Sequence, residues 1–237
     1  PMATAKADDK GHVSKDILGY YQEKTSNGLF STVIVEHNFV DPIGKASQNQ
    51  VSIADDSCID GLKKLAKVIK DNGSHAVVQI SHAGRSAKKD VIGQIPLGPS
   101  AIKNPSQKNT EVPRELTIEE IRDIEDKFAD AALRVKEAGF DGVEIHSAHG
   151  YLLNQFLSPL TNKRTDEYGG DIKGRIKIHL EIIEKVRKKV GKDYPIFLRL
   201  GAGDNMDGGL SKEDSVYAAR VFEKAGIDVL DISGGMC

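Results

Sequence analysis

Cysteine is nearly absent from this chain: the two residues, Cys58 and Cys237, stand far apart, and neither belongs to a CxxC pair. That excludes a disulfide framework and leaves no thiolate set for a metal. It sets the expectation of reduced thiols and a cytoplasmic protein. Long apolar runs are missing too. No stretch approaches the about 20 residues that cross a bilayer, and no charged segment followed by an apolar one opens the chain, so neither a membrane span nor a signal peptide is read. A block of one charge sign is also lacking. The 33 basic residues are mixed among 35 acidic ones for a formal net charge of -2, which offers no electrostatic footprint for nucleic acid or an anionic membrane. Small molecules are the partners this composition suits, and a homo-oligomer stays open. The last absence is a glycine-rich turn after an early strand, by which a doubly wound sheet usually binds a dinucleotide. What is present is 237 residues with 39% hydrophobic content, enough for one large core.

The apolar pattern alternates between two periods. Ser14 to Thr25 reads as a helix, and Ser31 to Val35 as a buried strand ending in Glu36, His37 and Asn38. Asp55 and Asp56 put acidic residues at the start of a second helix; its stripe is Ile59, Leu62, Leu65, Ala66 and Ile69, and Asn72-Gly73 stops it. His75 to Ile80 is the next strand. Ser81 to Arg114 carries Pro96, Pro99, Pro105 and Pro113 and no strong periodicity, and a loop of that length usually has a task. Thr117-Ile-Glu-Glu120 matches a capping box for a helix that Gly139 closes. Val143 and Ile145 continue as a strand, Asp171 to Val190 as a helix, and Pro195 to Leu200 as a strand. Ser211-Lys-Glu-Asp214 caps another helix, and Asp228 to Ser233 is the last strand. This alternation predicts a parallel α/β fold, and polar groups gathered at several strand ends favour a (β/α)8 TIM barrel over a doubly wound sheet. The barrel is expected to be incomplete: one partial domain over residues 1–237, from the end of strand 1 through strand 6, with two unpaired edges.

The densest polar cluster follows Val143 and Ile145, where His146, His149 and Tyr151 arrive close together. Two imidazoles offer donors for a substrate oxygen and a phenol offers one proton of high pKa, which suits addition across a polarised double bond. Taken one at a time, each also has a structural reading, as a satisfied histidine at a strand end or a tyrosine of core or surface. Arg199 interrupts the apolar strand Phe197-Leu-Arg-Leu200, and a cation there is costly without an anionic partner. Asp141, Glu144 or Asp231 would supply one as a salt bridge; a bound anion is the other solution.

The order His146-Ser-Ala-His149-Gly-Tyr151-Leu, followed by Asn154-Gln-Phe-Leu-Ser-Pro-Leu-Thr-Asn162 and Arg164-Thr-Asp-Glu-Tyr-Gly-Gly170, resembles the Old Yellow Enzyme family of flavin-dependent ene reductases. Further matching segments run from Pro1 to Gly235. The resemblance implies FMN as cofactor, NADH or NADPH as hydride donor, and an enone-type small molecule, an α,β-unsaturated carbonyl or nitro compound, as acceptor. It assigns His146 and His149 to the acceptor oxygen and Tyr151 to protonation of the α-carbon. It places Gln79 on the flavin pyrimidine and Arg199 at flavin N1 and the C2 carbonyl; for Gln79 the alternative is a buried amide bonded to backbone. Met2 and Ala3 correspond to the first strand end, whose backbone lies against the flavin. His82 and Arg85 read as loop anchors, and Ser233, Gly234 and Gly235 as either a close approach to a ligand or a turn. Such barrels usually hold the flavin phosphate with loops after strands seven and eight, so weak FMN binding is expected of a chain ending at Cys237. Two rivals stand beside this reading. One is a metal-dependent barrel hydrolase or aldolase with His146, His149 and Asp204 or Glu36 as ligands, and the other is a non-catalytic barrel fragment that acts through association.

Family members commonly carry threonine or cysteine where Ala3 aligns, and Thr4 fills that place if the register slips by one. Ala5 stands near an additional tyrosine of some bacterial relatives, which leaves Tyr151 the sole obvious proton donor. An alanine at position 3 implies a lowered flavin potential. Redox titration of FMN-loaded native protein against Ala3→Cys should show different midpoints; equal midpoints would remove Ala3 from that role.

Overall fold

A computed structural model describes residues 1–104 and 111–235, so Pro105 of the long loop and Cys237 lie outside the described residues. Five parallel strands form the centre: β1 (Thr32–Phe39), β2 (His75–Ser81), β3 (Gly142–Ser147), β4 (Ile196–Gly201) and β5 (Val229–Ser233). They are hydrogen-bonded in sequence order, without the reversal that marks a doubly wound sheet. The result is an arc of a (β/α) barrel. Helices α1 (Lys15–Thr25), α2 (Ile59–Asp71), α3 (Ile118–Glu137), α4 (Leu152–Leu157), α5 (Lys177–Val190) and α6 (Lys212–Ala225) complete the alternation.

Local chemistry sets the helix starts. Thr117 and Glu120 close a reciprocal capping box on α3, with the Glu120 N–H donating to Thr117 Oγ1 at 3.2 Å and the Thr117 N–H to Glu120 Oε2 at 2.9 Å. Leu62, Leu65, Ala66 and Ile69 of α2 and Ile121, Ile124, Phe128 and Val135 of α3 are buried with Val78, Ile80, Val143, Ile145 and Leu198 from the strands. Each large aliphatic among them stabilises the fold by roughly 1.5–3 kcal/mol.

Strand alternation does the rest. While Val143 and Ile145 serve the apolar core, Glu144 and His146 of β3 fall on the other face. Glu144 lies opposite Gln79 and Phe197, His146 opposite Arg199, and Arg199 opposite Asp231. A row of polar side chains therefore crosses the sheet.

Several expectations are corrected. Residues 1–8 form no strand; Thr4 instead donates its N–H and hydroxyl to the Glu36 carboxylate, each at 2.7 Å. The second helix begins with a 3-10 turn at Asp56–Cys58, because the Asp55 carboxylate accepts from the Ser57 N–H at 2.9 Å and α2 starts only after that turn. The segment Asp171–Val190 is interrupted at Ile176, between a short turn at Ile172–Arg175 and α5. The long loop holds structure of its own, with Leu97–Gly98 paired to Arg114–Glu115. Finally, β1 continues through Glu36, His37 and Asn38 to Phe39, with a bulge: Val35 pairs with Val78 but Asn38 with Ile80, so Glu36 and His37 oppose Gln79 alone.

Arg164 ties the long loop to the segment after α4. Its Nη1 donates to the carbonyls of Pro99 at 3.1 Å and Leu116 at 2.7 Å, and its Nε to Asp166 at 3.0 Å. Arg164→Met should lower stability by about 2–4 kcal/mol, since it leaves those carbonyls and a carboxylate unsatisfied. The urea midpoint of unfolding measures it.

Candidate active site

The polar row ends in a cleft at the carboxyl ends of the strands. It is lined by Pro1, Ala3, His37, Gln79, His146, His149, Tyr151 and Arg199, with a volume of about 180 Å³. Of the residues expected there, all but Met2 line it; the Met2 side chain is 80% exposed.

His146 comes from the buried end of β3 and is 4% exposed. Its ring centroid lies 5.2 Å from His149 and 5.1 Å from Tyr151, the latter edge to face. Its buried Nδ1 has no hydrogen-bond partner. His149 follows in the left-handed region at φ 58°, a conformation uncommon for a residue with a Cβ. The turn is held from below: the Gly150 N–H donates to Asn154 Oδ1 at 2.8 Å, and Gln155 Nε2 donates to the carbonyls of Gly150 at 2.6 Å and Ala83 at 3.0 Å. The Asn154-Gln155 pair of the motif thus braces the loop that carries His149 and Tyr151.

His149 Nε2 lies 2.7 Å from Ser233 Oγ, a partnership sequence reasoning missed because it links β5 to a loop 84 residues away. Arg199 Nη2 donates to the same hydroxyl at 3.4 Å, and Nη1 donates to Asp231 Oδ2 at 2.7 Å. The salt bridge anticipated for Arg199 is therefore present, with Asp231. The buried Nε of Arg199 remains without a partner. Gln79 Nε2 donates to Glu144 Oε1 at 2.7 Å, which leaves the amide oxygen for the cleft.

Burial dominates the electrostatics. It pushes His146 well below the ordinary imidazole range, with His37 and His149 adding like-charge repulsion. His149 is lowered by burial and then by the Arg199 cation. His37 is lowered to about 4 by burial and then by His149. The Tyr151 phenol is raised by burial, and Glu144 is raised to about 7, again chiefly by burial. The cleft thus holds neutral N–H donors beside a protonated phenol.

The remaining assigned residues do not line this cleft. His82 is buried and its Nδ1 accepts from the Gly84 N–H at 3.0 Å; Arg85 Nη1 donates to the carbonyls of Ile102 at 3.2 Å and Lys103 at 3.1 Å. Both anchor the loop after β2. The close approach at Gly235 is to the chain itself, where an added Cβ would meet the Gly203 carbonyl oxygen at 2.3 Å. Glu36 is bound by Thr4, and Asp204 accepts from Ser158 Oγ at 2.6 Å and the Leu210 N–H at 2.7 Å. Among the described residues no group of three or more His, Cys, Asp or Glu is arranged to hold a metal ion. No helix among the described residues is long and apolar enough to cross a membrane.

A (β/α)-barrel arc whose strand ends present imidazole and phenol donors beside an arginine and an amide defines a class of barrel protein built around a polar small-molecule cleft. Residues 1–236 match the NADH:flavin oxidoreductase / NADH oxidase family, and the chain belongs to it. It is 41% identical to an NADH oxidase of Thermoanaerobacter brockii over 238 aligned positions, covering all of this chain and 36% of that protein. The chain thus spans about a third of the length of that curated relative. Among solved structures, a 2-naphthoyl-CoA reductase in complex with 2-naphthoyl-CoA superposes with a TM-score of 0.94 at 33% identity, over 99% of this chain and 37% of that one. An old yellow enzyme homologue of Zymomonas mobilis superposes with a TM-score of 0.87 at 27% identity, over 98% and 67%.

Imidazole NMR tests the electrostatics. The His37 and His146 rings should stay neutral as pH falls from 7 to 5, with His37 protonating only near pH 4. The unfolded chain takes up the His37 proton from about pH 6.5 downward while the folded one does not, so the stability contributed by the neutral His37 is lost between about pH 6.5 and pH 4. Titration of either ring near 6.5 would show that the cleft is wet.

Proposed function

We propose that this chain forms the reacting half of an FMN-dependent oxidoreductase, which passes hydride from NADH or NADPH to an activated carbon–carbon double bond. The observation that carries the reading is convergence: His146, His149, Tyr151, Gln79 and Arg199, drawn from different strand ends, line one cleft. The donor set suits a flavin ring edge. The unpartnered Arg199 Nε supplies a cationic donor, and the Gln79 oxygen supplies an acceptor in the same cleft. Ala3 lies on the same wall.

FMN, when bound, supplies the two-electron store between nicotinamide and acceptor. The residues of this chain do the rest. Arg199 and Gln79 hold the polar edge of the ring, and the arginine favours negative charge there. His146 and His149, neutral at working pH, donate to the acceptor's carbonyl or nitro oxygen and stabilise the charge that develops as hydride reaches the β-carbon. Tyr151 gives its proton to the α-carbon, so one hydride and one proton saturate the bond. Burial of the phenol keeps that proton in place at neutral pH.

The test is spectroscopic. FMN-loaded protein should bleach with NADPH under anaerobic conditions and regain its flavin bands with 2-cyclohexenone. Tyr151→Phe should slow the second step about 100-fold and leave the first nearly unchanged. Protein kept saturated with added FMN whose flavin NADPH never bleaches would overturn the reading.

A further inference from the structure

Of the cleft residues, Pro1 and His37 are given no role by the family resemblance, and of the two His37 brings a hydrogen-bonding side chain. It sits in the β1 bulge, where two residues oppose one of β2. Such an insertion turns a side chain that regular alternation would aim elsewhere. Three backbone groups at the bulge find side-chain partners. The Glu36 N–H donates to the buried Tyr21 hydroxyl at 2.9 Å, Asn38 Nδ2 donates to the Glu36 carbonyl at 2.6 Å, and Gln50 Nε2 donates to the His37 carbonyl at 3.1 Å. The bulge is therefore a built feature.

The ring is oriented as firmly as the backbone. Gln50 Oε1 accepts from the Ala46 N–H at 2.7 Å, which fixes the amide so that Nε2 faces His37. That NH2 group lies 2.8 Å from His37 Nδ1 and can only donate, so Nδ1 is the acceptor and the ring proton belongs on Nε2. Ser81 Oγ, 3.3 Å from Nδ1, approaches the same side of the ring. Nε2–H is thus the free donor of a ring that lines the cleft.

We propose that His37 determines specificity by donating to a second oxygen of the acceptor, so that the site favours alkenes flanked by two carbonyl or carboxylate groups. This rests on the ene-reductase reading above. The Tyr151 ring lies 5.1 Å from His146 and 5.4 Å from His37, while the two imidazoles are 6.3 Å apart. The three rings therefore stand at the corners of a triangle, and the proton donor faces two imidazoles across one shared space. An acceptor with one oxygen on His146 and His149 and its reacting carbons at Tyr151 has the His37 ring at the third corner, within reach of a second oxygen. A simple enone has nothing to offer there; an alkene between two carbonyls does, and a hydrogen bond to the second oxygen further polarises the double bond.

The experiment compares kcat/KM for N-methylmaleimide, whose alkene lies between two carbonyls, with that for 2-cyclohexenone, in FMN-loaded native protein, His37→Leu and His37→Gln. The native preference for the maleimide should fall about 10-fold in His37→Leu, beyond any loss common to both substrates, and recover in part in His37→Gln, which keeps an N–H donor. In addition, the His37 Nε2 resonance of the native protein should shift when the saturated analogue N-methylsuccinimide is added. An unchanged ratio in an active enzyme, or a resonance unmoved by saturating succinimide, overturns the proposal alone. A native protein that reduces neither alkene overturns the ene-reductase reading with it.

Discussion

Polar pairing between neighbouring strands on one face of a buried sheet is the constraint on which the site depends. A parallel sheet of this kind is covered on both faces, and its strands are ordinarily apolar throughout. Here one face carries Gln79, Glu144, His146, Arg199 and Asp231, and the register sets them side by side. Gln79 is paired with Glu144 and Arg199 with Asp231, each across a single strand boundary at 2.7 Å. An unpaired buried charge or amide costs the fold several kcal/mol. Slipping β3 by one residue would break the Gln79–Glu144 pair and also turn the strand's apolar set out of the core. The core and the cleft therefore specify the same register.

What the pairing leaves unsatisfied defines the cleft. Glu144 Oε2, His146 Nδ1 and Arg199 Nε are buried without partners. Their cost has to be balanced elsewhere in the core, and unsatisfied groups gathered in one place are where a ligand gains most by binding. The histidines show the same economy in another form. Holding several imidazoles within one small cavity is compatible with a stable fold only if they stay neutral, and each neutral ring still keeps one N–H to donate.

Much of this was legible beforehand. The strand–helix alternation, the capping box at Thr117 and the stripe of α2 follow from local periodicity, which tertiary packing reinforces. His146, His149 and Tyr151 were legible because they crowd one strand end, and the Arg199 salt bridge because a lone cation in an apolar strand demands an anion. What was not legible is long-range. The Ser233 contact with His149 and the Gln50 contact with His37 join segments whose spacing carries no pattern. The bulge in β1 was hidden because Glu36, His37 and Asn38 look like the polar end of a strand. Only the pairing of Val35 and Asn38 with β2 shows that the strand continues. The first strand end expected near Met2 failed for a similar reason: the Glu36 carboxylate takes the Thr4 N–H that a ladder would have used.

The two readings of Arg199, as salt-bridge partner and as holder of an electron-rich ring, are compatible because a guanidinium has donors to spare. Asp231 takes Nη1 and Ser233 takes Nη2 at longer range, while Nε stays open. Asp231 offsets most of the desolvation cost of burying the cation, which lets Arg199 stand in the core before any ligand arrives. The same carboxylate dilutes the positive field at the cleft, so a ring held there as proposed would be stabilised by a directed hydrogen bond from a partly compensated cation. Ser233 links this pair to His149, so Arg199, proposed for the flavin side, and His149, proposed for the acceptor side, share one hydroxyl. The arrangement couples the orientation of the two halves of the site through a single residue at the end of β5.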